Sequence, residues 1–130
     1  MAQQAVETIL IRQLADCLSV PVIVVSPEGI VVFYNEPAEK LLGIRYEESG
    51  RLTPEQFDER FEAVPEGHAA DEGERPLRVA LAERRPAHAR RQVKRRADGA
   101  TLHVEITAFP IIGQGGALHG AVAMFWEQPA

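Results

Sequence analysis

Apolar residues along this chain recur with two different spacings, one typical of α-helices and one typical of β-strands. Over about residues 3–18 they recur every three or four positions, which places them on one face of a helix. We expect this helix to bury its apolar face, either on the rest of the chain or on a second copy of it. The face consists of Val6, Ile9, Leu10, Leu14, Cys17 and Leu18.

Two short β-branched runs follow the helix, over about residues 21–26 and 30–34. A Ser-Pro-Glu-Gly turn separates them. Pro27 has the φ angle that the second turn position needs, and Gly29 accepts a positive φ. The segment therefore predicts a β-hairpin.

Short helices are expected in the middle of the chain, because residues that start or end a helix recur there. Asn35 can cap a helix, and Gly43 favours the left-handed conformation that ends one. Thr53 followed by Pro54 is a second helix start. The predicted helices cover about residues 36–42, 46–49, 54–64 and 76–84, with a loop over about residues 65–74.

Three further strands are expected in the last third, over about residues 88–96, 101–111 and 118–126. Asp98-Gly99 between the first two is a strong hairpin signal. Every second residue from Leu102 to Ala108 is apolar, so these side chains are expected to face the core.

Composition indicates a single globular domain. The chain has 130 residues, of which 45% are hydrophobic and 25% charged, close to the usual size and composition of one domain. No apolar run approaches the ~18 residues that span a bilayer, and the first residues lack a signal-peptide pattern. We expect a cytoplasmic protein with no membrane partner.

Charge is unevenly distributed within the net charge of −5. Acidic residues dominate residues 36–74, while residues 84–96 carry seven lysines and arginines. The basic run has no aromatic residue on which a base could stack, and the acidic segment opposes a polyanion, so no nucleic-acid partner is expected. The single cysteine, Cys17, rules out an internal disulfide and a thiolate metal cage.

The order of these elements resembles the PAS domain family over about residues 18–127. The matching segments are residues 20–35, 35–43, 46–50, 96–101 and 118–127. The resemblance implies an α+β fold with a five-stranded antiparallel sheet in spatial order 2-1-5-4-3 and short helices on one face that enclose a small cavity. The N-terminal helix, residues 1–18, then precedes a PAS-like domain over residues 19–130.

The same resemblance implies which residues line that cavity. The set is almost wholly apolar, with Asn35 and Thr107 as polar anchors, so it suits an acyl chain or another hydrophobic small molecule. The alternative is that these side chains simply pack against one another. The expected cavity residues are Val24, Phe33, Asn35, Leu41, Leu42, Phe57, Phe61, Leu77, Leu81, Val104, Ile106, Val122 and Met124.

Cofactor chemistry is not expected. Flavin photosensors of the family carry their reactive cysteine in an Asn-Cys-Arg motif, whereas Cys17 lies outside the PAS-like domain. Heme-binding members carry a histidine on the helix that matches residues 76–84, which has none; His68 and His88 lie on either side of it. A flavin or heme held without a covalent bond is the alternative.

An enzyme is a further alternative that the sequence does not favour. It offers no plausible Ser-His-Asp arrangement and no His-x-x-x-His metal spacing. His103 and Glu105 have a metal-like spacing, but strand alternation places both on the outer side of the sheet, as it does His119. We expect neither catalysis nor a metal site.

The resemblance implies a stand-alone sensory or adaptor module of signal transduction. It would bind a hydrophobic small molecule, a protein partner or both, and a separate signalling protein would read its state. It would also form a homodimer through the N-terminal helix and the outer sheet face. The expected dimer surface is Val6, Ile9, Leu10, Leu14 and Cys17.

Overall fold

The computed structural model describes residues 6–65, 75–95 and 98–127. Its helices are α1 (Val6–Cys17), α2 (Glu36–Leu42), α3 (Tyr46–Ser49), α4 (Pro54–Arg60) and α5 (Pro76–Glu83). Its strands are β1 (Val22–Val25), β2 (Val31–Tyr34), β3 (Phe61–Pro65), β4 (Ala87–Arg95), β5 (Thr101–Ile112) and β6 (Leu118–Glu127). Beyond Pro65, the loop expected over residues 65–74 falls outside the described residues, and so does His68. No helix within the described ranges is long and apolar enough to cross a membrane.

The described strands form one antiparallel sheet in the order β2-β1-β6-β5-β4-β3. Setting β3 aside leaves the five predicted strands in the predicted spatial order, 2-1-5-4-3 when those five are numbered along the chain. The predicted fold class is therefore confirmed. The added strand β3 lies at one edge and pairs with β4.

The helix expected over residues 54–64 is shorter than predicted. Thr53 caps it as expected, since its hydroxyl accepts the Gln56 N–H at 3.1 Å and the Gln56 side chain accepts the Thr53 N–H. The helix ends at Arg60, and residues 61–65 become β3. A proline disfavours helix in the residue before it, and pairing with β4 supplies backbone partners that a helix would have provided.

Helix α2 forms where the sequence predicts it. The Asn35 side chain accepts the Ala38 N–H at 3.1 Å, and Pro37 lies in the first turn, where its missing N–H is not needed. Gly43 ends the helix with φ 80° and donates its N–H to the Glu39 carbonyl at 2.8 Å. A left-handed residue at this place satisfies a carbonyl of the last turn.

The sheet has two covered faces, and each has its own apolar core. We call the face that carries α2 to α5 the inner face and the face that carries α1 the outer face. The inner core contains Ile23, Val25, Val31, Tyr34, Ala38, Leu42, Leu52, Phe61, Ala80, Val104, Ala108, Ala121, Ala123 and Phe125. The outer core contains Ala15, Val22, Val24, Ile111 and Val122, with Ile11, Leu18, Val32, Phe33, Phe109 and Met124 packed against it.

Helix α1 lies on the outer face but does not use its apolar stripe to do so. Thr8 and Ala15 are buried there, and Ile11 packs beside them. The stripe residues Val6, Ile9, Leu10, Leu14 and Cys17 are exposed, with Val6 66% accessible and Leu10 and Leu14 each 57%. Of the six stripe residues only Leu18, just beyond the helix, packs on the outer core. Of the two expected ways to bury the stripe, the chain's own sheet therefore accounts for Leu18 only, and burial against a second copy stays a prediction.

Candidate ligand cavity

A cavity of about 500 Å³ lies between the inner face of the sheet and the helices above it. Most of the side chains around it are aliphatic or aromatic. The described residues of its wall are Ile23, Val25, Pro27, Glu28, Gly29, Val31, Leu41, Leu42, Pro54, Phe57, Asp58, Phe61, Arg75, Pro76, Leu77, Arg78, Leu81, Ala82, Arg91, Val93, Leu102, Val104, Ile106 and Phe125.

Eight of the thirteen expected cavity residues lie on the wall of the cavity. Helix spacing brings Leu77 and Leu81 onto the same side of α5. Phe57 and Phe61 are also four residues apart, and their ring centroids lie 4.9 Å from each other. The expected residues on the wall are Leu41, Leu42, Phe57, Phe61, Leu77, Leu81, Val104 and Ile106.

Four expected cavity residues lie on the opposite face of the sheet. Val24 and Val122 are buried in the outer core, and Phe33 and Met124 pack against it. Val24 pairs with Phe33 of β2 and with Val122 of β6, so these three side chains lie on the same face of the sheet. Met124, two residues after Val122 on β6, lies on that face too. Their neighbours Ile23, Val25 and Phe125 face the cavity instead. The assignment of Val24, Phe33, Val122 and Met124 to the cavity is therefore wrong.

Asn35 is a structural connector and not a cavity residue. Its side-chain oxygen accepts the Val22 N–H at 3.0 Å and the Ala38 N–H at 3.1 Å. Its amide nitrogen donates to the carbonyls of Ala15 and Val20, each at 2.9 Å. These four bonds use the full hydrogen-bonding capacity of an amide side chain, and Asn35 is only 1% exposed. Its proposed role as a ligand anchor is incorrect.

Thr107, the other expected polar anchor, also lies away from the cavity. Its hydroxyl is 2.9 Å from Nδ1 of His88. His119 lies on the outer face too, where its Nε2 is 3.7 Å from a carboxylate oxygen of Glu7 in α1. No cluster of three His, Cys, Asp or Glu side chains that could hold a metal ion occurs in the described part of the chain.

Arg91 is a charged wall residue that sequence reasoning missed. It lies on β4 opposite Val104, is 4% exposed, and is a charged side chain in an otherwise apolar part of the wall. Its Nη1 donates to the Arg90 carbonyl at 2.9 Å. The register of β4 on β5 identifies Arg91 as inward, whereas the sequence offers only a run of arginines.

The mouth of the cavity carries charges of both signs. Arg75, just before α5, donates to the Asp58 carboxylate of α4 at 2.8 Å. Glu28 and Arg78 also belong to this rim. The Asp58–Arg75 contact links the two helices across the opening, although a half-exposed ion pair of this kind contributes little to stability.

Two polar contacts fix the inner-face helices at their ends. Arg95 donates to the Leu41 carbonyl at 2.7 Å and to both carboxylate oxygens of Asp98, at 3.0 and 2.8 Å. The hydrogen bond from Arg95, aided by that from the Ala100 N–H, lowers the pKa of Asp98 to about 2, and the same contact raises the pKa of Arg95.

Tyr34 makes the second contact, reaching from β2 to the segment around α3. Its hydroxyl donates to the Ile44 carbonyl at 2.9 Å and lies 2.8 Å from the Ser49 hydroxyl. Burial raises the pKa of Tyr34, so the phenol stays neutral and keeps its proton for this bond.

Comparison with known proteins identifies the family. The model of the PAS fold matches residues 9–126, so the chain belongs to the PAS family. None of the curated proteins gives a significant match. Members of this family are sensory and signalling domains, and that general class holds for this chain.

Solved structures with this fold include several PAS domains and a LOV protein. The PAS domain of BvgS from Bordetella pertussis is 22% identical, with a TM-score of 0.70 over 95% of this chain and 88% of that one. A LOV protein from Rhodobacter sphaeroides is 18% identical, with a TM-score of 0.72 over 95% and 68%. The PAS domain of nitrogen regulation protein NR(II) from Vibrio parahaemolyticus is 14% identical, with a TM-score of 0.66 over 92% and 98%. At these identities the likeness concerns the fold alone.

Proposed function

We propose that this chain is a sensory module that binds a hydrophobic small molecule in the inner-face cavity. The observation that carries the proposal is the cavity itself, about 500 Å³ with a mostly apolar wall. Pockets for small molecules usually measure about 300 to 1,000 Å³ and combine an apolar lining with a few polar groups. The cavity therefore has the size and chemistry of a ligand site.

Asn35 connects a helix of the cavity wall to the outer face of the sheet. It caps α2, whose Leu41 and Leu42 line the cavity, and it also bonds the Ala15 carbonyl in α1. A ligand that shifts α2 would act on α1 through this side chain. A ligand shifts the balance between two arrangements of the chain only if it binds one of them more tightly. Through the Asn35–Ala15 contact, a preference for one arrangement of α2 would extend to α1.

We further propose that the exposed stripe of α1 forms a homodimer and that a separate signalling protein reads the dimer. The support is the four large apolar side chains Val6, Ile9, Leu10 and Leu14, which remain exposed on one helix. A twofold axis beside α1 would bring two copies of this stripe together, because such an interface uses the same surface twice. Trp126 is a further exposed apolar side chain, on the outer face of the sheet.

Ligand binding can be tested by filling the cavity. The wild-type chain, purified gently from its own host, should show a bound small molecule in native mass spectrometry. Ile106→Trp places an indole in the cavity and should abolish that adduct. Glu105→Trp adds the same group on the other side of β5 and should keep it. A wild-type chain without any adduct, or an adduct retained by Ile106→Trp, would contradict the proposal.

Dimerisation is tested by light scattering after size-exclusion chromatography. The wild-type chain should elute as a dimer at micromolar concentration, and the pair Leu10→Ser and Leu14→Ser should make it a monomer. Gln13→Ser, an exposed polar position of the same helix, is the matched control and should remain dimeric. A wild-type monomer at high micromolar concentration rejects the dimer while leaving the ligand proposal intact.

A further inference from the structure

Two consecutive arginines of β4 occupy opposite environments. Arg90 points to the outer side, where its Nε is 3.7 Å from Glu105, and its side chain is 70% exposed. Arg91 points to the inner side, is 4% exposed, and forms part of the cavity wall beside Val93 and Val104. Strand alternation explains the two directions, but it does not explain why a cation occupies an apolar wall.

A buried guanidinium is costly unless hydrogen bonds and opposite charge compensate it. The Arg90 carbonyl accepts one bond from Arg91 Nη1, and Arg91 takes part in further interactions of the chain. A guanidinium has five N–H donors in a planar fork, which matches the two oxygens of a carboxylate. A carboxylate that enters the cavity can therefore bind Arg91 by adding to these contacts or replacing one of them.

We propose that the ligand of this cavity is an amphipathic carboxylate, with its apolar body among the helices and its carboxylate on Arg91. This inference rests on the proposed ligand-binding function. A cavity of about 500 Å³ has room for roughly 15 non-hydrogen atoms at about 30 Å³ each, the size of a medium-chain fatty acid. At the mouth, the Asp58 carboxylate is already paired with Arg75, which reduces its repulsion of an entering anion.

The test compares decanoate with 1-decanol by isothermal titration calorimetry on the full chain, below the concentrations at which either forms aggregates. The two probes share an apolar chain and differ in the charge of the head group. Without a cation in the wall, decanol should bind more tightly, because a carboxylate loses more hydration on entering an apolar site. We expect the wild-type chain to prefer decanoate by at least about tenfold, the effect of a hydrogen bond to a charged group.

Variants of the two arginines show where that preference comes from. Arg91→Met keeps the apolar stem and should abolish or reverse the preference for decanoate, with decanol affinity unchanged or improved. Arg91→Lys keeps the charge without the fork and should weaken the preference. Arg90→Met is the matched control on the outer side and should leave both affinities unchanged.

The possible outcomes separate this inference from the function on which it rests. If wild type binds decanol as tightly as decanoate, or if Arg91→Met keeps the decanoate preference, the carboxylate assignment is rejected and ligand binding stands. If neither probe binds, the carboxylate assignment is likewise rejected, and the native mass spectrum of the wild-type chain decides whether ligand binding is rejected with it. Circular dichroism checks that each variant folds. Should Arg91→Met unfold, the wild-type preference and Arg91→Lys decide the matter.

Discussion

The inner and outer faces of this sheet are both covered by helices, but the helices cover them in different ways. One helix of 12 residues, α1, lies on the outer face, where Val22, Val24 and Val122 are almost fully buried. Four helices of four to eight residues cover the inner face and leave a cavity of about 500 Å³. The four inner-face helices leave this space because they are short and are joined by turns, whereas α1 is a single longer helix.

The two faces of the sheet carry different structural features. The inner face has a cavity with a mostly apolar wall, whereas the outer face has a helix with an exposed apolar stripe. Asn35 is one side chain that touches both, through the Ala15 carbonyl on one side and the first turn of α2 on the other. Substitutions that affect one face, the other, or the connection between them should therefore behave differently.

The largest effect is expected from Asn35→Ala, which removes the connection. It leaves the buried N–H of Val22 and the carbonyls of Ala15 and Val20 without this partner and removes the cap of α2. Unpaired buried groups and a lost cap together should lower the free energy of unfolding by about 3 to 5 kcal/mol. Urea denaturation followed by circular dichroism measures it.

Asn35→Asp is the informative companion to that variant. It keeps the oxygen that caps α2 but lacks the two N–H donors and brings a charge into a buried position. We expect it to be about as damaging as Asn35→Ala, because the donors to Ala15 and Val20 are lost in both. A loss below about 1 kcal/mol in both variants would show that the two faces do not depend on this residue.

The spatial order of the strands was implied by the resemblance to the PAS family, and the direction of their side chains could be predicted from the sequence only in part. In β5 apolar residues alternate with polar ones, so Val104 and Ile106 were assigned to the inner face correctly. In β1 all four residues are apolar and buried, because both faces of this strand are covered. No alternation exists in such a strand, and Val24 was assigned to the wrong face for that reason.

Other features depend on long-range pairing and could not be read locally. Strand β3 exists because the edge of β4 is available to residues 61–65. The same register of sheet strands places Arg91 in the cavity wall, although Arg90 and Arg91 are equivalent in the sequence. Helix α1 was predicted, but its contact face is made by small and polar residues such as Thr8 and Ala15, which a search for apolar stripes passes over.

A pair of identical enlargements measures the packing difference directly. Val93→Ile adds one methylene at a partly buried residue of the cavity wall and should change the free energy of unfolding by less than about 0.5 kcal/mol. Val24→Ile adds the same group in the outer core, where Val24 is only 1% exposed, and should cost about 1 kcal/mol or more. Equal costs at the two positions would mean that the faces are equally tight.

A smaller effect is expected where α1 meets the outer face through a charged side chain. The Arg12 guanidinium lies over the Phe33 ring, 4.7 Å from its centroid. Arg12→Met keeps the aliphatic stem and removes the cation, so it should lower the free energy of unfolding by about 0.5 to 1 kcal/mol. Gln13→Met, at an exposed position next to it, serves as the control. An equal loss in both variants would contradict a specific contribution of Arg12.

The smallest effect concerns pH and belongs to the inner face, where Arg95 joins α2 to Asp98. The pKa of Asp98 is lowered to about 2 in the folded chain, below its ordinary value of 3.8. A lowered acid pKa stabilises the folded state at pH values above the unfolded pKa, and this contribution is lost as the pH falls toward the folded pKa. Wild type should therefore exceed Asp98→Asn in stability at pH 5, and the difference should shrink between pH 4 and pH 2.

The Arg95→Met background tests whether that pH dependence comes from the Arg95–Asp98 contact. The hydrogen bond from Arg95 is the main cause of the lowered pKa, so without it Asp98→Asn should show little pH-dependent effect in urea denaturation. A pH dependence that persists in this background would place its origin in the backbone donors, the N–H groups of Ala100 and of Asp98 itself. The C-terminal end of α2 would then be held by the hydrogen bond from Arg95 to the Leu41 carbonyl, independently of the charge on Asp98.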